Sequence, residues 1–186
     1  MSRFSFHETP LNGLVVIVPS PVTDSRGGLT RLFCGDELRE VGWKKPIAQV
    51  NQTVTDKKGT VRGFHFQFPP SAETKLVSCI KGAIWDVAVD LRAGSPTFLH
   101  WHAEELTEAN RKMVLIPEGF AHGFQTLCDD CRLLYFHSAP YDAKCEGGVD
   151  VRDPGLHVNW PLPLSNLSDR DASHPVLTPD FKGISL

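Results

Sequence analysis

The chain predicts an all-β protein, an antiparallel sandwich or barrel with a few short helices. Its apolar stretches are short and several alternate apolar with polar residues. Turn residues separate them every few positions, and no long helical repeat is present. In order, the strand candidates are GLVVIVP, RLF, IAQVNQTV, TVRGFHFQF, TKLVSCI, AIWDVAVDL, TFLHWHAEEL, KMVLIP, HGFQTL and CRLLYFHSA. Helix is expected only in DELREVG, residues 36 to 42, and in a turn around TEANRKM that Thr107 could cap. From about Asp150 the chain becomes rich in Pro, Asp and Ser around Trp160, which reads as an ordered segment that wraps the β core and delivers side chains to it. No repeat, low-complexity tract or linker divides residues 1 to 186, so one domain is expected.

The formal charge of -3 comes from acidic and basic residues mixed along the chain, which argues against a nucleic-acid partner and leaves any anionic ligand to local Arg and Lys. No apolar run approaches a membrane span, and the N-terminal segment lacks the h-region of a signal peptide. The 5 cysteines, Cys34, Cys79, Cys128, Cys131 and Cys145, are odd in number and read as reduced thiols of a cytoplasmic protein.

Several residues could carry chemistry. A strand over TVRGFHFQ puts Phe64, Phe66 and Phe68 on one face and Gly63, His65 and Gln67 on the other. A histidine lining a barrel mouth beside Arg62 is placed to meet an anion; on an ordinary sheet surface it would merely be hydrogen-bonded. Lys75 opens KLVSCI, where a lysine is commonly solvent-facing. Aimed at a carbonyl oxygen, its ammonium would instead stabilise the charge that develops when a neighbouring C–H is deprotonated. The 2 tyrosines, Tyr135 and Tyr141, both fall in LLYFHSAPY. They are either packed aromatics or phenols able to exchange a proton on the face of a substrate opposite a base. Tyr135 shares a strand face with Leu133 and His137, whereas Tyr141, after Pro140, suits a rim. Asp171 in LSDRD is a surface carboxylate unless the tail packs it behind His65, where it would fix the tautomer and raise basicity.

His122 in IPEGFAHGF sits in a turn-plus-histidine pattern that resembles the second conserved element of the cupin superfamily, often a metal position. His100 and His102 in GSPTFLHWH imitate the first, since i and i+2 share a strand face. Glu104 and Glu105 follow too closely for the usual ligand, however, and Gln67 stands two positions after His65, so no metal is expected. Cys128 and Cys131 form a lone CDDC without a second pair and read as free thiols. The Gly27–Gly28 and Gly147–Gly148 pairs read as turns.

Together DSRG, QVNQTVTDKKGTVRGFHFQFPP, KLV, KGAIWDVAVDLRAGSPTF, IPEGFAHGF, the tyrosine segment, RDPGLHVNWP and LSDRD closely resemble the dTDP-4-dehydrorhamnose 3,5-epimerase family, in family order from about residue 10 to residue 175. The resemblance implies a cupin-type jelly roll and a homodimer in which an N-terminal strand crosses to the partner. It also implies a cofactor-independent epimerase acting on a nucleoside-diphosphate 4-keto-6-deoxyhexose, most simply dTDP-4-dehydro-6-deoxy-D-glucose, inverted at C3, C5 or both. By the resemblance His65 is the base, oriented by Asp171, and Tyr135 the acid on the opposite face of the ring. Lys75 would stabilise the enolate oxygen, while His122 and Tyr141 line the sugar pocket. Arg62, Gln49 and Asn51 match ligand-contacting positions, and Arg26 would reach the nucleotide or diphosphate from the neighbouring subunit. The chain departs from the family in GLTRLF, where Leu29 replaces an aromatic and Arg31 a glutamate near the nucleoside end, which leaves the identity of the base open. A metal-dependent cupin enzyme and a non-catalytic sugar-binding cupin remain the alternatives of other classes.

Overall fold

The computed structural model describes residues 2–186. Its strands are β1 (Phe4–Glu8), β2 (Val15–Pro19), β3 (Val22–Asp24), β4 (Gly27–Leu29), β5 (Gln49–Thr55), β6 (Val61–Gln67) and β7 (Lys75–Lys81). There follow β8 (Ala83–Asp90), β9 (Trp101–Thr107), β10 (Met113–Ile116), β11 (Phe120–Thr126), β12 (Cys131–His137) and β13 (Glu146–Gly148). Two short helices, α1 (Gly35–Leu38) and α2 (Asp169–Ala172), complete the regular structure with a 3-10 turn at Arg39–Val41. A 6-stranded sheet, β1-β2-β10-β7-β12-β5, faces a 5-stranded sheet, β13-β6-β11-β8-β9, and β3 and β4 form a separate ribbon. The result is an antiparallel β-sandwich.

The alternation read in the sequence decides which side chains meet between the sheets. Val77 and Cys79 of β7, Val114 and Ile116 of β10 and Leu133 and Tyr135 of β12 pack there against Ile84 and Ala88 of β8 and Phe120 and Phe124 of β11. Both outer faces are also covered. Leu38 and Trp43 lie over Ile17, Leu76 and Met113 on the 6-stranded sheet. The C-terminal segment lies over Val61, Phe64, Val87 and Val89 of the other sheet. Each of these fully buried aliphatic or aromatic side chains contributes about 1.5–3 kcal/mol before conformational entropy is charged against it.

The wrapping tail expected from about Asp150 is ordered, and Trp160 anchors it. The indole stacks on Phe64 at a centroid distance of 5.7 Å and donates to the Val151 carbonyl at 3.0 Å. Val61 donates to the Ser165 carbonyl at 3.2 Å, and Asp150 donates to the Pro175 carbonyl at 2.9 Å, so the tail is tied down on both sides of α2.

Some expectations fail locally. RLF is not a strand, because Leu32 and Phe33 dock onto the sheet's outer cluster instead of pairing. TEANRKM is not helical: Thr107 closes β9, and its hydroxyl accepts from the Asn110 amide in a turn. Phe68 falls beyond the end of β6 and is exposed, edge-on to Phe66.

The decisive irregularity is at Gly63. His122 of β11 lies opposite His65, but Phe124 lies opposite Arg62, so β6 holds one extra residue at this point. Unbroken alternation would put Arg62 and His65 on opposite faces. The bulge turns both into the sandwich, while Val61, Phe64 and Phe66 face the tail. Gly63 has φ +117, and a Cβ there would lie 2.6 Å from the Gly123 Cα and 2.7 Å from the His122 carbonyl oxygen. Only glycine fits this conformation and this approach. Gly63→Ala should therefore lower stability by about 3 kcal/mol in urea unfolding, combining backbone strain with overpacking. A loss under about 1 kcal/mol would mean that the bulge is soft.

Candidate active site

A pocket of about 430 Å³ opens between the sheets, with β6 and β11 on one wall, β5, β7 and β12 on the other and the tail at its rim. It gathers nine of the residues singled out in the sequence: Gln49, Asn51, Arg62, His65, Lys75, His122, Tyr135, Tyr141 and Asp171. Arg26 and Arg31 lie outside it. Arg26 pairs with Asp24 at 2.6 Å on the β3–β4 ribbon, which is exposed along its whole length. Arg31 is bound by Glu37, so its charge is locally neutralised.

His65 comes from the strand after the bulge and Asp171 from the tail. Ser168 caps α2 by accepting from the Asp171 amide at 3.1 Å, which fixes the one turn of helix that carries the carboxylate. Asp171 Oδ1 lies 2.8 Å from His65 Nε2, and Oδ2 accepts from the Gly63 amide at 3.2 Å. Burial would raise the Asp171 pKa, but the hydrogen bond from His65, together with the Gly63 donor, outweighs it and holds the carboxyl below its ordinary range. An ionised carboxylate only accepts hydrogen bonds, so the neutral tautomer of His65 that fits beside it has its proton on Nε2 and its lone pair on Nδ1. The dyad is thus set for proton abstraction by Nδ1.

Tyr135 faces this histidine's strand from the opposite sheet. Burial first, then the nearby Asp86 charge, pushes its pKa up, so the phenol stays protonated and able to donate. Its ring stacks on His137 at 6.0 Å and meets His122 edge-on at 6.1 Å. Lys75, expected at a solvent-facing strand end, is instead 8% exposed. Its ammonium lies 3.2 Å from Glu73 and donates to the His65 carbonyl oxygen at 3.4 Å.

Three partners were not legible in the sequence. Glu73 also takes a 2.7 Å hydrogen bond from His137 Nδ1, and so holds both a cation and an imidazole at the pocket wall. Asp86 lies 2.7 Å from His122 Nε2, a second buried histidine–aspartate pair. Arg170, beside Asp171, pairs with Glu146, whose carboxylate also accepts from the Tyr141 hydroxyl at 2.9 Å. Asp86 had a signal: it occupies an inward position of the apolar run AIWDVAVDL, where an unpaired carboxylate would be costly. Glu73 and Arg170 had none: Lys75 is only two positions from Glu73, but nothing local marks that pair as buried, and the His137 and Glu146 partners are distant in sequence.

The metal imitation does not assemble. His100 precedes β9, while His102 lies 3.6 Å from Glu104, and neither lines the pocket. Cys128 and Cys131 are free thiols with Sγ atoms 3.6 Å apart, and burial foremost, followed by the Cys131 neighbour, pushes Cys79 up to about 12.

The model of the dTDP-4-dehydrorhamnose 3,5-epimerase family matches residues 8–179. The chain belongs to this family. It is 39% identical over 183 residues to the dTDP-4-dehydrorhamnose 3,5-epimerase of Sinorhizobium fredii, covering 95% of this chain and 91% of the relative. It is 38% identical to a dTDP-4-dehydrorhamnose 3-epimerase of Streptomyces niveus, over 87% of this chain and 78% of that one. The crystal structure of the Bacillus anthracis 3,5-epimerase with TDP and pyrophosphate bound superimposes with a TM-score of 0.90 at 37% identity, covering 94% of this chain and 99% of that one. Family membership makes this pocket, with its histidine–aspartate pair, phenol and ammonium, the candidate active site of a sugar-nucleotide epimerase.

Glu73 gives the site a measurable pH signature. Burial would raise its pKa, but the His137 hydrogen bond and the Lys75 charge outweigh that and lower it. A lowered folded pKa means that the unfolded chain binds the proton more readily. The contribution of Glu73 to stability is therefore complete above its ordinary value of 4.5 and is lost as pH falls through the lower folded value. Glu73→Gln should cost about 2 kcal/mol at neutral pH and flatten the acid limb of a stability–pH profile. An unchanged limb would mean that Glu73 is not ion-paired in solution.

Proposed function

We propose that this protein is a cofactor-independent epimerase converting dTDP-4-dehydro-6-deoxy-D-glucose into dTDP-4-dehydro-L-rhamnose by inversion at C3 and C5. The observation that carries this reading is the convergence of a carboxylate-backed histidine, a protonated phenol from the opposite sheet and a buried ammonium on one pocket. Both protons are alpha to the C4 ketone. His65 Nδ1 takes the C–H proton, and the electron pair of that bond moves into the C4 carbonyl to give an enolate. Lys75 stabilises the oxyanion, and Asp171 stabilises the imidazolium that forms. Tyr135 then delivers a proton to the other face of the same carbon, and exchange with solvent resets both groups. No hydride leaves the sugar, so no nicotinamide takes part.

His122, held by Asp86, and Tyr141, Gln49 and Asn51 line the sugar subsite, and the Arg62 fork suits diphosphate oxygens. The protein is one domain with jelly-roll closure, acting in the cytoplasm as a homodimer with N-terminal strand exchange. Support for the exchange comes from the β3–β4 ribbon, which is exposed and holds Arg26 outside its own pocket. Leu29 and Arg31 extend the same idea to the nucleoside, where another base than thymine would be recognised differently. The similarity to the Streptomyces niveus 3-epimerase favours a second reading, inversion at C3 alone, since the same groups serve either carbon and pocket shape decides access.

NMR of the purified protein with dTDP-4-keto-6-deoxyglucose in deuterated water separates these readings. Deuterium at C3 and C5 with an L-configured product is expected; label at C3 alone establishes the second reading, and no label refutes both. His65→Asn should slow exchange at both carbons by about 10³-fold while nucleotide binding persists. Tyr135→Phe should leave exchange at one carbon without inversion, and full activity in that variant would remove the phenol from the mechanism.

A further inference from the structure

The histidine–aspartate dyad has a third neighbour that the epimerase chemistry leaves idle. His174, in the turn just after α2, sets its ring edge-on to His65 at a centroid distance of 5.5 Å. Its Nε2 lies 3.9 Å from Asp171 Oδ1, beyond hydrogen-bond reach, and is buried with no hydrogen-bond partner. The ring fills a slot that exists because residue 148 is glycine: a Cβ there would lie 2.3 Å from the imidazole.

We propose that His65, Asp171 and His174 form a three-donor site for a zinc-class divalent cation, and that occupancy of this site switches the catalytic base off. One ligand atom from each residue lies within 4.8 Å of the other two. The 2.8 Å and 3.9 Å separations bracket the roughly 3.4 Å edge of a tetrahedron whose ligands stand about 2.05 Å from zinc. Two imidazoles and one carboxylate suit zinc, cobalt or nickel and not magnesium, which prefers oxygen ligands and retains its water. Of the three ligands His65 is the most accessible, one-third exposed and lining the pocket.

The cation would take the place of the proton shared between His65 Nε2 and Asp171, releasing that proton to solvent. The lone pair on Nδ1 would remain, but its basicity would fall sharply, because a dication would now sit where the ring previously donated to an anion. The site therefore inhibits; it takes no part in turnover. The inhibitory half of this inference rests on His65 being the base, whereas the binding half does not.

Isothermal titration of the metal-free protein with zinc, paired with the visible absorption of bound cobalt, tests binding directly. One ion per chain at micromolar zinc is expected, with a tetrahedral cobalt spectrum. His174→Leu and His174→Gln should each weaken binding by about 100-fold or more, since losing a direct ligand costs at least what losing an outer partner does. In parallel, epimerase turnover with zinc is divided by turnover with chelator for each variant. The ratio should fall at least about tenfold in the wild type and stay near unity in both His174 variants, with magnesium inert in all. No binding, or equal affinity in the wild type and in folded His174 variants, overturns the site. Binding that depends on His174 without loss of turnover overturns the switch. Binding that depends on His174 in a protein with no epimerase activity keeps the site and refutes the assigned reaction instead.

Discussion

The close approach of β6 to β11 at Gly63 is the constraint on which the rest of the site depends. Without a Cβ, the strand can hold an extra residue while its backbone lies against Gly123. That one residue resets the phase of the strand, so Arg62 and His65, three apart, both enter the sandwich. Arg62 reaches across to the Thr55 hydroxyl at 3.1 Å on the opposite sheet, which places its guanidinium at the open end of the pocket. The same glycine contributes its amide to Asp171. The strand's backbone geometry, the placement of Arg62 and the anchoring of the Asp171 carboxylate behind His65 therefore share a single origin.

The second constraint is electrostatic. Between the sheets the pocket places three histidines, a lysine and a tyrosine beside an apolar cluster, and each of these polar side chains must be answered locally. The answers are all carboxylates: Asp171 for His65, Asp86 for His122 and Glu73 for both Lys75 and His137. Each pairing also restricts its side chain to one position, which is the preorganisation that stabilising a developing charge requires. Tyr135 is the exception, a buried phenol kept neutral by its surroundings, and that neutrality suits it to donate.

Much of this was legible in the sequence, for physical reasons that also explain the rest. Strands of seven or eight residues, such as β5, β6, β8 and β11, carry enough alternation to be read, whereas β3, β4 and β13 have three residues each and no period to detect. His65, Lys75, His122 and Tyr135 stood out because polar or phenolic groups interrupted apolar strands. Asp171 was proposed as the partner of His65 across 106 positions of sequence, and the tail does bring it there. The bulge was not legible. A strict alternation of faces over TVRGFHFQ gives His65 its correct side but assigns Arg62 the wrong one, since nothing local distinguishes a glycine that bulges from one that merely weakens a strand. Asp86 went unread because its histidine partner is fixed by sheet pairing, and Glu73 because its burial against Lys75 and His137 is set by the fold and not by local sequence.

The placement of Asp171 in the tail has a consequence for how the fold and the chemistry are joined. The strands alone would build the pocket, Lys75 and Tyr135, but would leave His65 without its carboxylate. That group arrives only when Trp160 has stacked on Phe64 and the flanking segments have bonded to β6 and to the chain near Asp150. Docking energy supplied by an apolar anchor, spread over the outer face of the five-stranded sheet, is thereby converted into the orientation of one imidazole on its inner face. His65 has its carboxylate only while the tail is docked, so loss of tail contacts far from the pocket reaches the histidine–aspartate pair without first breaking the sheets.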